Sequence, residues 1–186
     1  MNKLLRPMTA IYLLKGNKVL LLYRQGGRVV NNVYTGSAGG HFEKDELSDP
    51  RACVLREMRE ELSLTEDQIE NLRLRYVALR YAQDKGEIRQ NFYFFANLAE
   101  GVSQEICSNE GVLRWVDWEE ALALDMPFCA KFALEHYWKI GRHDDHLYGG
   151  VATQENLVFV PMDMDGKEEG RNNNSIANPP FSEPLL

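Results

Sequence analysis

The sequence predicts one α/β domain, a sandwich of helices and strands built on a mixed β-sheet. Segments with strand patterns and segments with helix patterns are interspersed along the chain, and two long strands are joined by a tight turn. This mixture disfavours a doubly wound parallel sheet. The 186 residues, of which 44% are hydrophobic and 26% are charged, are enough for one core and a short appendage.

The first half of the chain is predicted to begin with a β-hairpin. Residues 7–14 and 18–23 are β-rich runs on either side of the turn Lys15-Gly16-Asn17. A loop over 25–32 and a short strand over 33–40, ending in a Gly-rich turn, are expected next.

A long helix is predicted over Pro50–Leu62. Asp49 can cap its first turn, and Pro50 stands where a missing amide hydrogen costs nothing. The residues from Thr65 to Gln68 have the pattern of a capping box and predict a further short helical turn.

The second half of the chain is predicted to complete the sheet and to add two helices. The expected elements are strands over 72–83, 88–98, 112–116 and 157–160, and helices over 118–123 and 127–140. From residue 163 the composition becomes polar and then Pro-rich, and it cannot bury enough apolar surface to order itself. We therefore expect one domain over residues 1–162 and a flexible tail over 163–186.

Charge and composition exclude several classes of function. With 21 Lys and Arg against 28 Asp and Glu, the net charge is −7, which argues against a nucleic-acid polymer as partner. The sequence has no apolar run long enough to span a bilayer and no secretory h-region at its start, so no membrane partner is expected. Three widely spaced cysteines, Cys53, Cys107 and Cys129, predict reduced, partly buried thiols in a cytoplasmic protein.

Three carboxylates are expected on one face of the long helix. At 100° per residue, Glu57, Glu60 and Glu61 fall within an arc of about 100°, and an apolar stripe of Leu55, Met58 and Leu62 lies away from them. Like charges at this spacing repel one another, and a hard divalent cation such as Mg²⁺ would compensate them. The alternative is a solvated acidic face with Arg56 and Arg59 as local partners.

Residues 40–64 resemble the Nudix box. They include, in the order of that motif, Gly40, Glu46, the run Arg56-Glu57-Met58-Arg59-Glu60-Glu61-Leu62, and the apolar Leu64. Nine residues instead of seven separate Glu46 from Arg56, and Ser63 replaces the final Gly of the motif. The extra residues fall in the loop before the helix, where they leave the carboxylate face intact.

The resemblance implies a Nudix-type α/β/α sandwich with a mixed β-sheet and a Mg²⁺-dependent hydrolase, with Mn²⁺ as the alternative metal. Its implied metal ligands are Glu57, Glu60 and Glu61, completed by Glu110. Its implied catalytic residues are Glu60, Glu57 and Arg56, of which Arg56 orients a neighbouring Glu. Glu60 is the nominated general base, with Glu57 and Glu110 as rivals. The implied substrate-binding residues are Gly39, Gly40 and Glu46, and the two glycines let their loop turn and approach the helix.

The resemblance also implies a small nucleotide as the substrate. The first candidate is a (d)NTP or an oxidised (d)NTP. The alternatives are a dinucleoside polyphosphate, ADP-ribose or a nucleotide sugar, and, from another class, a Nudix-fold sensor that has lost catalysis. Four arginines are candidates for binding the phosphates: Arg24, Arg28, Arg80 and Arg89. A homodimer is left open as a further partner, and the segment from His143 to His146 is expected to form a solvated turn.

Overall fold

A computed structural model describes residues 4–24 and 32–162, and this part of the chain forms one mixed β-sheet between two helical layers. The strands are β1 (Leu4–Lys15), β2 (Lys18–Arg24), β3 (Val33–Thr35), β4 (Ile69–Ala82), β5 (Glu87–Leu98), β6 (Gly111–Asp117), β7 (Tyr148–Ala152) and β8 (Val160–Pro161). The helices are α1 (Pro50–Leu62), α2 (Trp118–Ala123) and α3 (Phe128–Lys139), with 3₁₀ turns at Glu66–Gln68 and Gly141–His143.

The strand order is β3-β2-β1-β5-β4-β7-β8, and β6 pairs with β2. β1 runs parallel to β5, and β4 runs parallel to β7. The other pairs are antiparallel, including the predicted β1–β2 hairpin and the long β4–β5 pair. The predicted α/β class with a mixed sheet is confirmed.

Helices α1 and α3 cover opposite faces of this sheet. Because successive side chains of a strand point to opposite faces, β1 contributes Ile11 to the core under α1 and Tyr12 to the core under α3. On α1 the buried residues are Cys53, Val54, Met58 and Leu62. Val54 therefore takes the fully buried place that the sequence assigned to Leu55, which is half-buried.

Both ends of α1 follow from local chemistry. The Asp49 carboxylate accepts a hydrogen bond from the Ala52 amide at 3.0 Å, and Pro50 begins the helix, as predicted. The helix ends at Ser63, whose φ of +56° is left-handed and whose amide donates to the Arg59 carbonyl. Ser63 thus stands at a position whose backbone favours Gly, the residue of the Nudix motif.

The structure corrects the expected strand over 157–160. In its place Leu157 forms one isolated bridge with Ala152, and a two-residue strand, β8, follows. Strand β7 is not predicted from the sequence, because Gly149 and Gly150 interrupt its strand pattern. Parallel pairing with β4 supplies the hydrogen bonds that local propensity does not indicate.

The structure also bears on the predictions for the cysteines, for the loop and tail, and for the membrane. Cys53 and Cys129 are buried, but Cys107 is exposed and not partly buried; all three are free thiols. The predicted tail 163–186 and most of the predicted loop 25–32 lie outside the described residues. Within residues 4–24 and 32–162, no helix has the length and apolar character needed to cross a membrane.

Candidate active site

The carboxylates of α1 lie on one side of the helix, as its geometry predicts. Glu57 and Glu61 are half-buried and Glu60 is exposed. The side chain of Glu57 keeps 12% of its surface exposed, against 58% for Glu60. The predicted face therefore combines two partly dehydrated carboxylates with one that water reaches.

Arg56 connects three carboxylates. Its Nε and Nη2 donate to the two oxygens of Glu46 at 2.7 and 2.9 Å. Its Nη1 donates to Glu57 at 2.9 Å and to Glu60 at 3.0 Å, and Nη2 also reaches the His41 carbonyl at 3.0 Å. The planar guanidinium suits this role because its five donors point in fixed directions.

Glu46 meets Arg56 despite the two extra residues between them. Only 7% of Glu46 is exposed, and its Oε2 also accepts the Glu43 amide at 2.9 Å. Both carboxylate oxygens are thus engaged by the protein. Glu46, predicted as a substrate-binding residue, is placed behind the carboxylate face as a partner of Arg56.

Burial and charge shift the acidities in this group. The hydrogen bond from Arg56, outweighing the opposing effect of burial, lowers the pKa of Glu46 to about 2. Burial raises the pKa of Glu57 above its usual range. Burial, reinforced by the charges of Glu57 and Glu110, raises the pKa of Glu61 to about 7. A bound cation would favour the ionised forms of both raised carboxylates.

The Gly39-Gly40 turn presses against these carboxylates. The Gly39 amide donates to Glu61 Oε2 at 3.0 Å, and its φ of +152° is a conformation that side chains rarely adopt. A Cβ at Gly39 would overlap the Thr9 carbonyl, and one at Gly40 would overlap the Glu57 carboxylate. The expected approach of this turn to the helix is therefore observed. At Gly39 the clash is with backbone, so only glycine fits there, whereas a side chain at Gly40 would have to displace the Glu57 carboxylate.

Glu110 lies in the loop before β6, at the C-terminal end of α1. The Asn109 side chain joins this loop to the helix by donating to the Glu60 carbonyl at 3.3 Å. Glu110 forms an ion pair with Arg24 and is close enough to Glu61 to raise its pKa. The structure thus brings Glu110 near Glu61, one of the other three predicted metal ligands.

These carboxylates suit a cation that keeps part of its water shell. Within the described residues, no three acidic, His or Cys side chains form a ready-made metal cage; Arg56 and Arg24 neutralise the carboxylates instead. The donors are all oxygen, and two of them, Glu57 and Glu61, are partly dehydrated on one helix face. Mg²⁺ is bound by a few carboxylates together with waters and substrate phosphates, so the residues present fit it.

The sequence predicts a solvated turn from His143 to His146, but the structure shows that this segment is bonded to the sheet. Asp144 accepts hydrogen bonds from the buried Arg75 at 2.7 Å and from the Tyr148 hydroxyl at 2.7 Å. The segment therefore ties the end of α3 to the sheet. Its acidic and histidine side chains gather no metal-ligand group among the described residues.

A pocket opens beside the carboxylate face, between the sheet and α3. Glu61 and Gly39 belong to its lining, with apolar and aromatic walls from Met8, Ala10, Tyr93 and Phe128. Three of the four predicted phosphate-binding cations also line it, namely Arg24, Arg80 and Arg89. The fourth, Arg28, lies outside the described residues.

The contributions of β1 and α3 to this pocket are not predicted from the sequence. No motif marks these residues, because sheet register and helix packing alone bring them together. Tyr12 is the clearest example: it lines the pocket, and within residues 4–24 and 32–162 its buried hydroxyl has no hydrogen-bond partner. Such an atom can be found only once the fold is known.

The chain is similar to a known domain family and to several solved structures. Residues 4–136 match the model of the NUDIX domain. A MutT protein from Bacillus halodurans is 26% identical, with a TM-score of 0.61 over 82% of this chain and 94% of its own. An Ap4A hydrolase from C. elegans, solved as a binary complex, is 19% identical, with a TM-score of 0.57 over 76% and 99%. The NUDIX domain of NrtR from Shewanella oneidensis, complexed with ADP ribose, is 16% identical, with a TM-score of 0.54 over 75% and 88%.

No curated protein matches the sequence significantly. The C. elegans and Shewanella structures, at below 25% identity, indicate the fold alone. The domain match covers well over half of the 186 residues. Hydrolases with a NUDIX domain generally use a divalent metal. The domain match, together with the contacts among the Gly, Arg and Glu residues at the motif, shows that the chain belongs to the Nudix family of pyrophosphohydrolases.

Proposed function

We propose that this enzyme is a cytoplasmic Mg²⁺-dependent hydrolase that cleaves the diphosphate linkage of a nucleoside diphosphate derivative, and that its substrate is a (d)NTP or an oxidised (d)NTP. The observation that carries the proposal is the carboxylate face of α1, which Arg56 and the Gly39-Gly40 turn hold beside a pocket. A pyrophosphate concentrates negative charge around the phosphorus that water must attack. A bound Mg²⁺ would neutralise that charge and acidify a water.

Glu57, Glu60 and Glu61 would hold the metal, with Glu110 completing the set. Arg56 fixes the orientation of Glu57 and Glu60, and Glu46 in turn fixes Arg56. The Gly39 amide orients Glu61. These contacts reduce the rearrangement needed on binding, because the carboxylates already face one way.

Glu60 is proposed as the general base, with Glu57 and Glu110 as rivals. Its exposed side chain is the most accessible of the three on the helix face. As the oxygen of the attacking water bonds to phosphorus, a Glu60 oxygen takes the proton and the bridging P–O bond breaks. The leaving phosphate or pyrophosphate carries away the electron pair of that bond.

A panel of nucleotides tests this proposal. The purified protein is incubated with (d)NTPs, oxidised (d)NTPs, dinucleoside polyphosphates, ADP-ribose and nucleotide sugars, with Mg²⁺, with Mn²⁺ and with a chelator, and phosphate and pyrophosphate release are scored separately. Pyrophosphate release from triphosphates, abolished by the chelator, supports the proposal. Activity confined to the other substrates assigns one of the alternatives, and binding without turnover assigns a sensor.

A matched variant separates the site from the rest of the acidic surface. Glu66→Gln removes an exposed carboxylate just after α1 that pairs with Arg51, and it should leave turnover unchanged. Glu57→Gln removes a carboxylate of the proposed site and should reduce turnover at least a hundredfold. Sedimentation of the same preparation tests for the homodimer.

A further inference from the structure

Three arginines lie side by side across the neighbouring strands β1, β5 and β4. Arg6 is the register partner of Arg89, and Arg89 is the register partner of Arg80. Register partners point to the same face of a sheet, and like charges directly opposite each other destabilise the pairing. Arg80 and Arg89 line the same pocket as Glu61 and Gly39.

Protein carboxylates neutralise this row only in part. The buried Glu87 accepts hydrogen bonds from Arg89 at 2.9 Å and from Arg6 at 3.4 Å. The Arg80 guanidinium lies 4.8 Å from the centre of the Phe128 ring, and no described residue forms an ion pair with it. Arg6 and Arg89 therefore share one carboxylate, and Arg80 pairs with none among the described residues, in a protein whose net charge is −7. An excess of positive charge inside a pocket indicates an anionic ligand.

We propose that Arg80 and Arg89 form a subsite for the distal phosphoryl group of the substrate, the one that lies beyond the linkage held at the carboxylates. This inference rests on the proposed function. It favours the triphosphate substrates named there over the alternative diphosphates that end in a neutral sugar. Guanidinium groups bind phosphate oxygens through pairs of parallel hydrogen bonds. A guanidinium over a ring keeps its N–H donors in its own plane, where a phosphate can accept them.

The separation of the two groups fits a triphosphate between them. Gly39, which binds Glu61, packs against β1 at Thr9 and Ala10, three and four residues from Arg6. Four residues of strand span about 13 Å. Among the described residues no ion pair joins Glu61 to Arg80 or Arg89, although all three line one pocket, and a polyphosphate between them would contact both groups. A triphosphate whose diphosphate linkage lies at the carboxylates would therefore place its distal phosphate toward the arginine row.

The test compares substrates with and without a distal phosphate. The kcat/KM of the wild-type protein is measured for ATP and for ADP-ribose, which share the adenosine diphosphate moiety. Arg80→Gln and Arg89→Gln should each lower kcat/KM for ATP about tenfold, through KM, and leave ADP-ribose unchanged. Equal losses on both substrates, or no loss on ATP, would overturn the inference.

Arg73→Gln is the matched control, because Arg73 lies on the same strand and pairs with Asp145 outside this pocket. It should leave the ratio of the two substrates unchanged. Arg80→Gln should fold about as well as wild type, since it removes a like charge from a directly opposed pair. Arg89→Gln also removes the 2.9 Å hydrogen bond to the buried Glu87, so it should be less stable than Arg80→Gln. Melting temperatures check this point.

Binding without hydrolysis separates this inference from the proposed function. Inorganic tripolyphosphate, in the absence of metal, should raise the melting temperature of wild type but not of the Arg80→Gln/Arg89→Gln double variant. If the double variant responds like wild type, the subsite does not exist. If wild type hydrolyses no nucleotide while the tripolyphosphate effect needs both arginines, the subsite stands and the proposed function fails.

A phosphate on the ribose of a nucleotide is the second kind of group that the Arg80 and Arg89 guanidinium groups would bind. Adenosine 3′,5′-bisphosphate and AMP differ only in that group. We expect their effects on the melting temperature to be equally independent of Arg80 and Arg89. A stabilisation by the bisphosphate that disappears in the double variant, without one by tripolyphosphate, would overturn the assignment to the distal phosphate.

Discussion

Replacing Arg56 with Gln should destabilise the fold through Glu46. Glu46 is only 7% exposed, and Arg56 supplies hydrogen bonds to both of its oxygens. Removing one partner of a buried ion pair leaves an uncompensated charge, which costs about 3 kcal/mol of unfolding free energy. Arg51→Gln, on the same helix, breaks an ion pair whose side chains are 52% and 54% exposed and should cost under about 1 kcal/mol.

The cost should depend on pH in a defined direction. Arg56 lowers the pKa of Glu46 to about 2 in the folded protein, against 4.5 ordinarily. A carboxylate with a lowered pKa contributes stability that is fully present above pH 4.5 and is lost as the pH falls toward 2. The gap in stability between wild type and Arg56→Gln should therefore be full at pH 7 and narrow below pH 4.5.

Urea unfolding at pH 7 and at pH 3, on wild type and both variants, measures these differences. Glu46→Gln, alone and combined with Arg56→Gln, completes a double-mutant cycle and isolates the coupling between the two residues. A loss at pH 7 no larger than that of Arg51→Gln would refute the reasoning. So would a gap that stays the same at the two pH values.

Three further predictions concern stability and the end of the chain. Ser63→Gly should raise the unfolding free energy by about 0.5–1 kcal/mol, because Ser63 has a left-handed φ of +56°; thermal unfolding checks this, and a less stable variant would contradict it. Tyr12→Phe should leave stability unchanged or raise it, since its buried hydroxyl has no partner in the described chain, whereas Tyr76→Phe should cost about 1 kcal/mol by removing a 3.0 Å hydrogen bond to His136; equal losses in urea unfolding would refute the contrast. Truncation after Met162 should leave metal-dependent turnover nearly unchanged; a collapse of turnover with the fold intact would show that the segment acts at the site.

The elements that the sequence predicted best are those with local signals. Asp49 and Pro50 mark the start of α1 through capping chemistry, and the motif fixes the order of its carboxylates. Helix periodicity is enough to place Glu57, Glu60 and Glu61 on one face. These features depend on neighbours within a few positions along the chain.

The features that the sequence did not predict depend on distant neighbours. The contact of Glu46 with Arg56 follows from how the lengthened loop folds back, which spacing alone does not define. Strand β7, with its Gly149-Gly150 pair, forms because β4 offers a free edge. Asp144 accepts a hydrogen bond from Arg75 of β4, which is 69 residues away in the sequence. No local pattern contains such partners, so only the three-dimensional register identifies them.

The central claim is that the carboxylate face of α1 is the metal site of a hydrolase, and Glu60→Gln tests it most directly. Gln keeps the shape and helix propensity of Glu, and Glu60 is exposed, so the metal-free stability should be the same or slightly higher. The loss of its 3.0 Å bond to Arg56 partly offsets the relief of repulsion. A neutral amide is a poorer ligand for Mg²⁺ than a carboxylate.

The measurement is the melting temperature with and without Mg²⁺, together with triphosphate turnover, for wild type, Glu60→Gln and the exposed control Glu66→Gln. Wild type and Glu66→Gln should gain more thermal stability from Mg²⁺ than Glu60→Gln does, and only Glu60→Gln should lose turnover. If all three proteins respond to Mg²⁺ alike and turn over at similar rates, Glu60 belongs to a solvated acidic face and the assignment of the site is wrong.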